Sequence, residues 1–314
     1  MNLNAHALIF FLDGVGLGAA DSATNPFLRA DLANLTALLG SEWFILKDDS
    51  RSGRIVGERA SFVPTDANLE IEGRPQSATG QATILTGRNI PQLVGQHYGP
   101  KPNPAVAALI KENNLFMDVG AEGGSAALIT PYPQGYFESI SSGRRLLSSV
   151  PLAATSAGLR LMNADDLRAG QAVSPGFTGQ GWHDYLGYKD IPILTLHQAG
   201  QQIAEVARSY NFSFFEHWPS DRSGHRGSME EAVKHLEIID QALGGTLDDW
   251  DDSNDLLVIT SDHGNIEEKH HRQHSRNPVP TIIVGPGHGA LSKKVNSLFD
   301  IAGVIKTYLQ METT

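Results

Sequence analysis

The run Leu256-Leu257-Val258-Ile259-Thr260-Ser261-Asp262-His263-Gly264-Asn265 decides how this chain reads. An apolar, β-prone stretch that ends in adjacent Asp and His describes a buried strand delivering a carboxylate and an imidazole to its carboxyl end. That is the edge at which open α/β sheets collect their ligands. Such a pair serves either as a metal-ligand set or as a hydrogen-bonded loop anchor, and the rest of the chain has to discriminate.

The same grammar recurs. Asn211-Phe212-Ser213-Phe214-Phe215 leads into Asp221-Arg222-Ser223-Gly224-His225, a D-x-x-x-H spacing whose ends can meet on one ion across a turn or a helical turn. Near the start, Ala7-Leu8-Ile9-Phe10-Phe11-Leu12 runs into Asp13-Gly14-Val15-Gly16, and His274 precedes the strand-like run Thr281-Ile282-Ile283-Val284. Each residue alone has a bland reading as a satisfied loop side chain. Their joint placement at strand ends favours a shared site.

Composition sets the bounds. The 314 residues suffice for one large α/β domain plus a smaller one. A net charge of −11 disfavours nonspecific binding to nucleic acid or anionic membrane, so neither is an expected partner. An acidic protein that handles an anion has to neutralise it locally, with metal ions or a few placed cations. With no cysteine in the chain, disulfides, thiolate nucleophiles and sulfur-ligated metals are excluded, leaving Asp, Glu, His and hydroxyls as ligands. The first apolar run is short, lacks a basic flank and ends in Asp13, and no stretch reaches the roughly 18 apolar residues of a membrane span. A cytoplasmic protein is expected.

Strand-like runs alternating with helical patterns indicate a doubly wound, mostly parallel sheet flanked by helices. A helix is predicted over 78–86, opened by Ser77 as its cap, with further helices at 104–113, 194–210, 229–243 and 298–309 and a strand at 125–130. Asp248 to Asp255 reads as a solvated acidic loop. The texture changes near residue 93, where Gln96-His97-Tyr98-Gly99-Pro100-Lys101-Pro102-Asn103-Pro104 is rich in turn formers. Residues 1–92 and 191–314 therefore read as the core, and 93–190 as a smaller inserted cap domain.

The remaining element is Gln76-Ser77-Ala78-Thr79-Gly80-Gln81. A serine opening a helix is ordinarily a cap, yet helix N-termini also bind phosphate, and an adjacent cation would favour the deprotonated hydroxyl as a nucleophile.

Taken in order, Asp13 in D-G-x-G, Ser77 in S-x-x-G-Q, Asp221 and His225 in D-x-x-G-H, Asp262-His263-Gly264-Asn265, and His274 before Asn277-Pro278-Val279-Pro280 resemble the metal-binding signature of the alkaline phosphatase superfamily. The order is similar to the metalloenzyme branch containing cofactor-independent phosphoglycerate mutase and phosphopentomutase, over residues 7–92 and 195–310. The resemblance implies two divalent ions, one held by Asp13, Ser77, Asp262 and His263, the other by Asp221, His225 and His274. Oxygen and imidazole ligands without sulfur suit Mn²⁺ or Zn²⁺. The resemblance further implies that Ser77 is transiently phosphorylated during phosphoryl transfer on a small phosphate ester. Where many mutases of this branch carry His, this chain has Gln81. The insert stands where the branch keeps its substrate cap, and Arg144-Arg145 within it is a candidate anion clamp, with Arg160 and Arg168 as further candidates. His270 and His271 sit between ligand segments, as spare ligands or as solvated loop residues.

Hydrolysis of the ester is the expected outcome, with a phosphomutase as alternative and a phosphodiesterase or sulfatase behind it. Gly14-Val15-Gly16-Leu17-Gly18-Ala19 matches a dinucleotide-binding pattern, but a loop sequence follows it and Asp13 would repel a pyrophosphate, which counts against an NAD-dependent oxidoreductase. A non-catalytic metal-binding protein is a further alternative. The presence of all seven expected positions argues against it. The sequence leaves the oligomeric state open.

Overall fold

The computed structural model describes residues 1–40, 44–46 and 53–311. Its strands are β1 (His6–Leu12), β2 (Ile55–Val56), β3 (Ala60–Thr65), β4 (Ala126–Leu128), β5 (Phe212–His217), β6 (Asp255–Thr260) and β7 (Val279–Val284). The amino-terminal helices are α1 (Ala33–Leu39), α2 (Ser77–Thr86), α3 (Ile90–Val94), α4 (Pro104–Glu112) and α5 (Leu115–Ala121). Next come α6 (Gln134–Ser141), α7 (Ser149–Ser156), α8 (Ala164–Arg168) and α9 (Gln180–Leu186). The chain finishes with α10 (Leu196–Ala207), α11 (Pro219–Arg226), α12 (Met229–Asp249), α13 (His288–Ser292) and α14 (Asp300–Tyr308).

The strands form one sheet in the order β2-β3-β7-β6-β1-β5-β4. Central β1 pairs in parallel with β5 and β6, and β4 adds in parallel to β5. The expected mostly parallel α/β sheet flanked by helices is present, with one qualification. The run at 281–284 belongs to a strand that lies antiparallel to β6, and β3 lies antiparallel to that strand in turn. Neither β2 nor β3 was expected from the sequence, because Ala60-Ser61-Phe62-Val63-Pro64-Thr65 has no sustained apolar run and carries a proline.

Strand periodicity sends alternate side chains to opposite faces, and both faces are covered. Ala7, Ile9 and Phe11 of β1 face a core shared with α2, α4, α5, α7 and α14, whereas Leu8, Phe10 and Leu12 face a second core built with α1, α10 and α12. Helices α10 and α12 open with capping boxes, Thr195 with Gln198 and Ser228 with Glu231, which fix where each begins. The expected acidic loop at 248–255 is corrected: Asp248 and Asp249 end α12, and Asp255, buried, starts β6.

Residues 93–190 share both sheet and core with the flanking segments. β4 is a strand of the central sheet, and Val106, Ile110, Leu115, Phe116, Leu128, Val150 and Ala153 are buried in the same core as β1 and α2. A boundary at 92/93 therefore does not separate two hydrophobic cores. The part with apolar packing of its own is smaller, a satellite of Ala164, Leu167, Trp182 and Ile191 with Tyr188 against it.

Candidate metal centre

The sheet topology explains why residues far apart in sequence meet. β6, β1 and β5 are parallel neighbours, so their carboxyl ends deliver Asp262-His263, Asp13 and the β5–α11 junction to one edge. Antiparallel β7 starts at that same edge, which brings in the preceding segment with His274. β3 ends beside the start of β7, and the chain from Thr65 continues along this edge to Ser77. Helix α11 sets Asp221 and His225 one turn apart, with Asp221 Oδ1 and His225 Nε2 3.3 Å from each other.

Two glycines permit the close approach. Gly14 has φ +71°, and a Cβ there would stand 2.8 Å from Asp221 Oδ1. A Cβ on Gly80 of α2 would lie 2.9 Å from the Cβ and the carbonyl oxygen of Asp262, so the helix bearing Ser77 reaches the strand end only because this position lacks a side chain.

All seven residues named from the sequence converge. Asp221, His225 and His274 place one ligand atom each within 4.8 Å of one another, and so do Asp13, Asp221 and His263. Asp221 is common to both groups, although the expected division gave it to one ion alone. His263 Nε2 lies 3.4 Å from Asp13 Oδ1, 3.7 Å from Asp262 Oδ2 and 3.0 Å from Ser77 Oγ. The rings of His263 and His274 stack with centroids 3.6 Å apart.

The imidazoles are oriented from behind. Nδ1 of His225, His274 and His263 faces the carbonyl oxygen of Arg272, Pro75 and Gly264 respectively. A carbonyl only accepts, so each Nδ1 carries a proton and each Nε2 is the ring nitrogen that faces the site. Nε2 of His225 and of His274 are 3.1 Å apart, both facing the same point of the site.

The carboxylates make the same point. Burial, then repulsion from Asp262 and Asp221, pushes the Asp13 carboxyl well above the usual range, and its Oδ1 is buried without a hydrogen-bond partner. Burial and the Asp221 charge push Asp262 up to about 7, against the opposing effect of His274. Burial pulls His263 and His274 down to about 4, the latter further disfavoured by His263. Three convergent carboxylates and three imidazoles with inward-facing Nε2 atoms fit divalent cations, which would offset the repulsion and use the orphaned oxygen.

Ser77 is the first residue of α2 rather than its cap: Gln76 holds that position, in extended conformation, with no side-chain capping bond. The serine hydroxyl is thus free of helix duty and turns to His263. Thr79 differs. Its buried hydroxyl accepts from the Tyr98 amide and lies within bonding distance of the Gln76 and Tyr98 carbonyls, while its own amide donates to Tyr98. Gln81 enters the site directly, with Nε2 3.2 Å from Asp262 Oδ2 and 3.5 Å from Asp13 Oδ2 and with Oε1 buried and unpartnered.

Of the candidate arginines, Arg144 bonds Ser142 in its own exposed turn, whereas Arg145 lies over the Tyr136 ring at 4.9 Å. The two do not form a joint clamp. Arg160 is engaged by Asp166, and Arg168 by Asp165 and Asp190. Glu268, His270 and His271 form a further ligand-like group on the surface loop, where His271 pairs with Glu268 at 2.9 Å.

Sequence reading missed three participants. Buried Glu267 accepts from the Gly16 and Asn265 amides, Asn277 and Ser275, tying three loops together. Glu216, pushed up to about 7 by burial, accepts from the Tyr132 hydroxyl at 2.5 Å and adds to the repulsion on Asp13. Lys101, lowered by burial and by Arg145, is favoured in its charged form by Glu216 and Asp13. No local pattern marks them. Only Glu267, two residues after the D-H-G-N run, lay near a recognised motif.

Residues 193–313 match the profile of the Metalloenzyme superfamily. A 2,3-bisphosphoglycerate-independent phosphoglycerate mutase from Antithamnion sp. is 30% identical over 130 residues, 36% of this chain and 26% of that protein. Its counterpart from Cellvibrio japonicus is 38% identical over 98 residues, 29% of this chain and 19% of the relative. The chain thus matches about a quarter or less of the length of these relatives. Among solved structures, a protein from Pyrococcus horikoshii aligns over 100% of this chain and 99% of its own, with a TM-score of 0.57 and 15% identity. The alkaline phosphatase of the Antarctic bacterium TAB5 aligns over 99% of each chain, with a TM-score of 0.53 and 14% identity. These likenesses establish the architecture. The chain has the alkaline phosphatase fold, and its residues 193–313 are similar to the Metalloenzyme superfamily.

Proposed function

We propose that this protein is a two-metal phosphoryl-transfer enzyme that hydrolyses a small phosphate ester through a phosphoserine at Ser77. The observation that carries this reading is the Ser77 hydroxyl, 9% exposed, released from helix capping and 3.0 Å from His263 Nε2 within the convergent Asp and His set. Asp221, His225 and His274 would hold one ion, and Asp13, Asp262, His263 and Ser77 the other, Asp221 being near both groups of ligand atoms; Mn²⁺ and Zn²⁺ suit these donors. When bound, such ions supply positive charge that favours the deprotonated serine and offsets charge on the phosphoryl group.

The chain's own residues do the rest. Ser77 Oγ bonds to phosphorus as the ester P–O bond breaks, and the alcohol leaves with a proton. Water then cleaves the serine phosphate, returning the hydroxyl and inorganic phosphate. Gln81 Nε2 orients Asp262 and Asp13. Lys101 adds a positive side chain near Asp13 and Glu216. The cap role expected of 93–190 is assigned to its later part, which carries Tyr132, Tyr136 and Arg145 and the satellite around Trp182.

The similarity to phosphoglycerate mutases supports a second reading, in which the phosphoryl group returns to another hydroxyl of the same substrate. One experiment addresses both. Metal-loaded protein is incubated with phosphorylated sugars, glycerates and nucleotides while free phosphate and positional isomers are followed together. Phosphate release with a phosphorylated Ser77 peptide after acid quench is expected. Isomers without release would replace hydrolase by mutase, and neither product from any ester would overturn phosphoryl transfer.

A further inference from the structure

A cavity of about 790 Å³ opens beside the proposed centre. One wall is the first turn of α11, where Trp218, Pro219 and Arg222 flank Asp221. The lining also includes the largely buried Tyr132 and Tyr136, stacked with centroids 4.3 Å apart, and Arg145 over the Tyr136 ring. Tyr132 donates to Glu216, which pairs across the sheet with Phe11, two residues before Asp13. None of the seven site residues lines this cavity or a larger one of about 900 Å³ lined by Arg54, Asp66, Asn68 and Glu70, but the first reaches Arg222, the neighbour of Asp221 in α11.

The first cavity has features that a three-carbon phosphorylated acid does not use. Its size is in the range that holds drug-sized ligands, and a glycerate would leave most of it to water. Its rim exposes large side chains that proteins otherwise cover: Tyr185 is 86% exposed, Trp218 47% and Leu186 46%. Aromatic faces of this kind gain most from a planar ring laid against them.

Resting on the phosphoryl-transfer reading above, we propose that the organic part of the substrate is a planar aromatic ring system. It lies against the exposed rings of Trp218 and Tyr185 while the phosphate reaches Ser77. Aryl phosphates and nucleoside monophosphates share this chemistry, and the cavity excludes neither.

The test uses the metal-loaded, full-length Ser77→Ala protein, so that binding is read without turnover. Tryptophan fluorescence and calorimetry follow titration with 1-naphthyl phosphate, adenosine 5′-monophosphate and 3-phosphoglycerate. At least one aromatic ester is expected to bind tenfold or more tightly than 3-phosphoglycerate, and the stronger of the two identifies the aryl or nucleoside source. Adding Trp218→Ala or Tyr185→Ala, both at exposed positions, is expected to abolish that advantage and leave 3-phosphoglycerate binding unchanged. Equal or weaker binding of both aromatic esters, or an advantage that survives both substitutions, overturns the proposal. Turnover by the parent protein separates the two readings. If only the glycerate ester is processed, phosphoryl transfer stands and the aromatic pocket falls. If aromatic esters bind through Trp218 but no ester is processed, the pocket stands and phosphoryl transfer falls.

Discussion

Nε2 of His225 and Nε2 of His274 face each other at 3.1 Å, each ring with its Nδ1 proton committed to a backbone carbonyl. A divalent cation would fit between these inward-facing nitrogens and offset the repulsion among the adjoining carboxylates. Gently purified protein is therefore expected to contain two divalent ions per chain by elemental analysis. Chelation is expected to lower its melting temperature, because the ligands bridge β1, β6, α11 and the segment before β7. A fully active preparation with less than one ion per chain would contradict this.

Ser77 and Thr79 are predicted to behave differently. Ser77→Ala removes the hydroxyl that faces His263, and turnover is expected to fall by about 10³-fold or more with most metal retained. Thr79→Ala removes a hydroxyl engaged by main-chain groups of Tyr98 and Gln76, and is expected to cost about 1–2 kcal/mol of stability with turnover changed less than about tenfold. Steady-state kinetics and thermal melts decide. Phosphate trapped on Thr79 would reverse the assignment.

Gly80→Ala is expected to separate α2 from the end of β6. The new Cβ meets the Cβ and carbonyl of Asp262, neither of which is the free end of a flexible chain, so destabilisation of about 1–3 kcal/mol is expected. Because the clash falls on Asp262, a proposed ligand, metal affinity by calorimetry should drop along with denaturant stability. A loss of stability with unchanged metal affinity would mean that the close approach serves packing alone.

Deleting residues 97–187 is expected to prevent folding. The deletion removes β4 and uncovers Phe212 and Phe214, which pack on Phe116. Circular dichroism and solubility of the truncated chain would show it. A cooperative melt from that chain would restore the two-unit division expected from the sequence.

Buried His217 and half-buried His235 have Nε2 atoms 2.9 Å apart, and the His217 ring stacks on Phe177. Burial pulls His235 from 6.5 down to about 4, and burial with the neighbouring His235 lowers His217 well below its usual value. A histidine depressed in the folded state is protonated first in the unfolded chain. Its contribution is present above pH 6.5 and is lost as pH falls from 6.5 toward 4, amounting to about 3 kcal/mol for His235. His235→Gln is expected to flatten the fall in stability between pH 7 and pH 4.5 under constant metal loading. Parallel curves for the two proteins would remove the pair from the pH response.

The sequence determined what lies along one strand or one helical turn. Apolar runs fixed β1, β5 and β6 and the ligand-type residues just beyond them, and the four-residue spacing of Asp221 and His225 fixed their shared helical face. Local patterns of this kind are legible because backbone geometry sets the period. Tertiary structure decided what meets across long separations. Examples are the position of Asp221 in both ligand groups, Gln81 beside Asp262, Glu267 bridging Gly16 and Ser275, and Arg145 rather than Arg144 over an aromatic ring. It also decided that β7 runs antiparallel and that residues 104–157 enter the common core. These contacts depend on strand order and on which helix covers which face of the sheet. Both are set by the joint packing of the whole chain rather than by any window of its sequence.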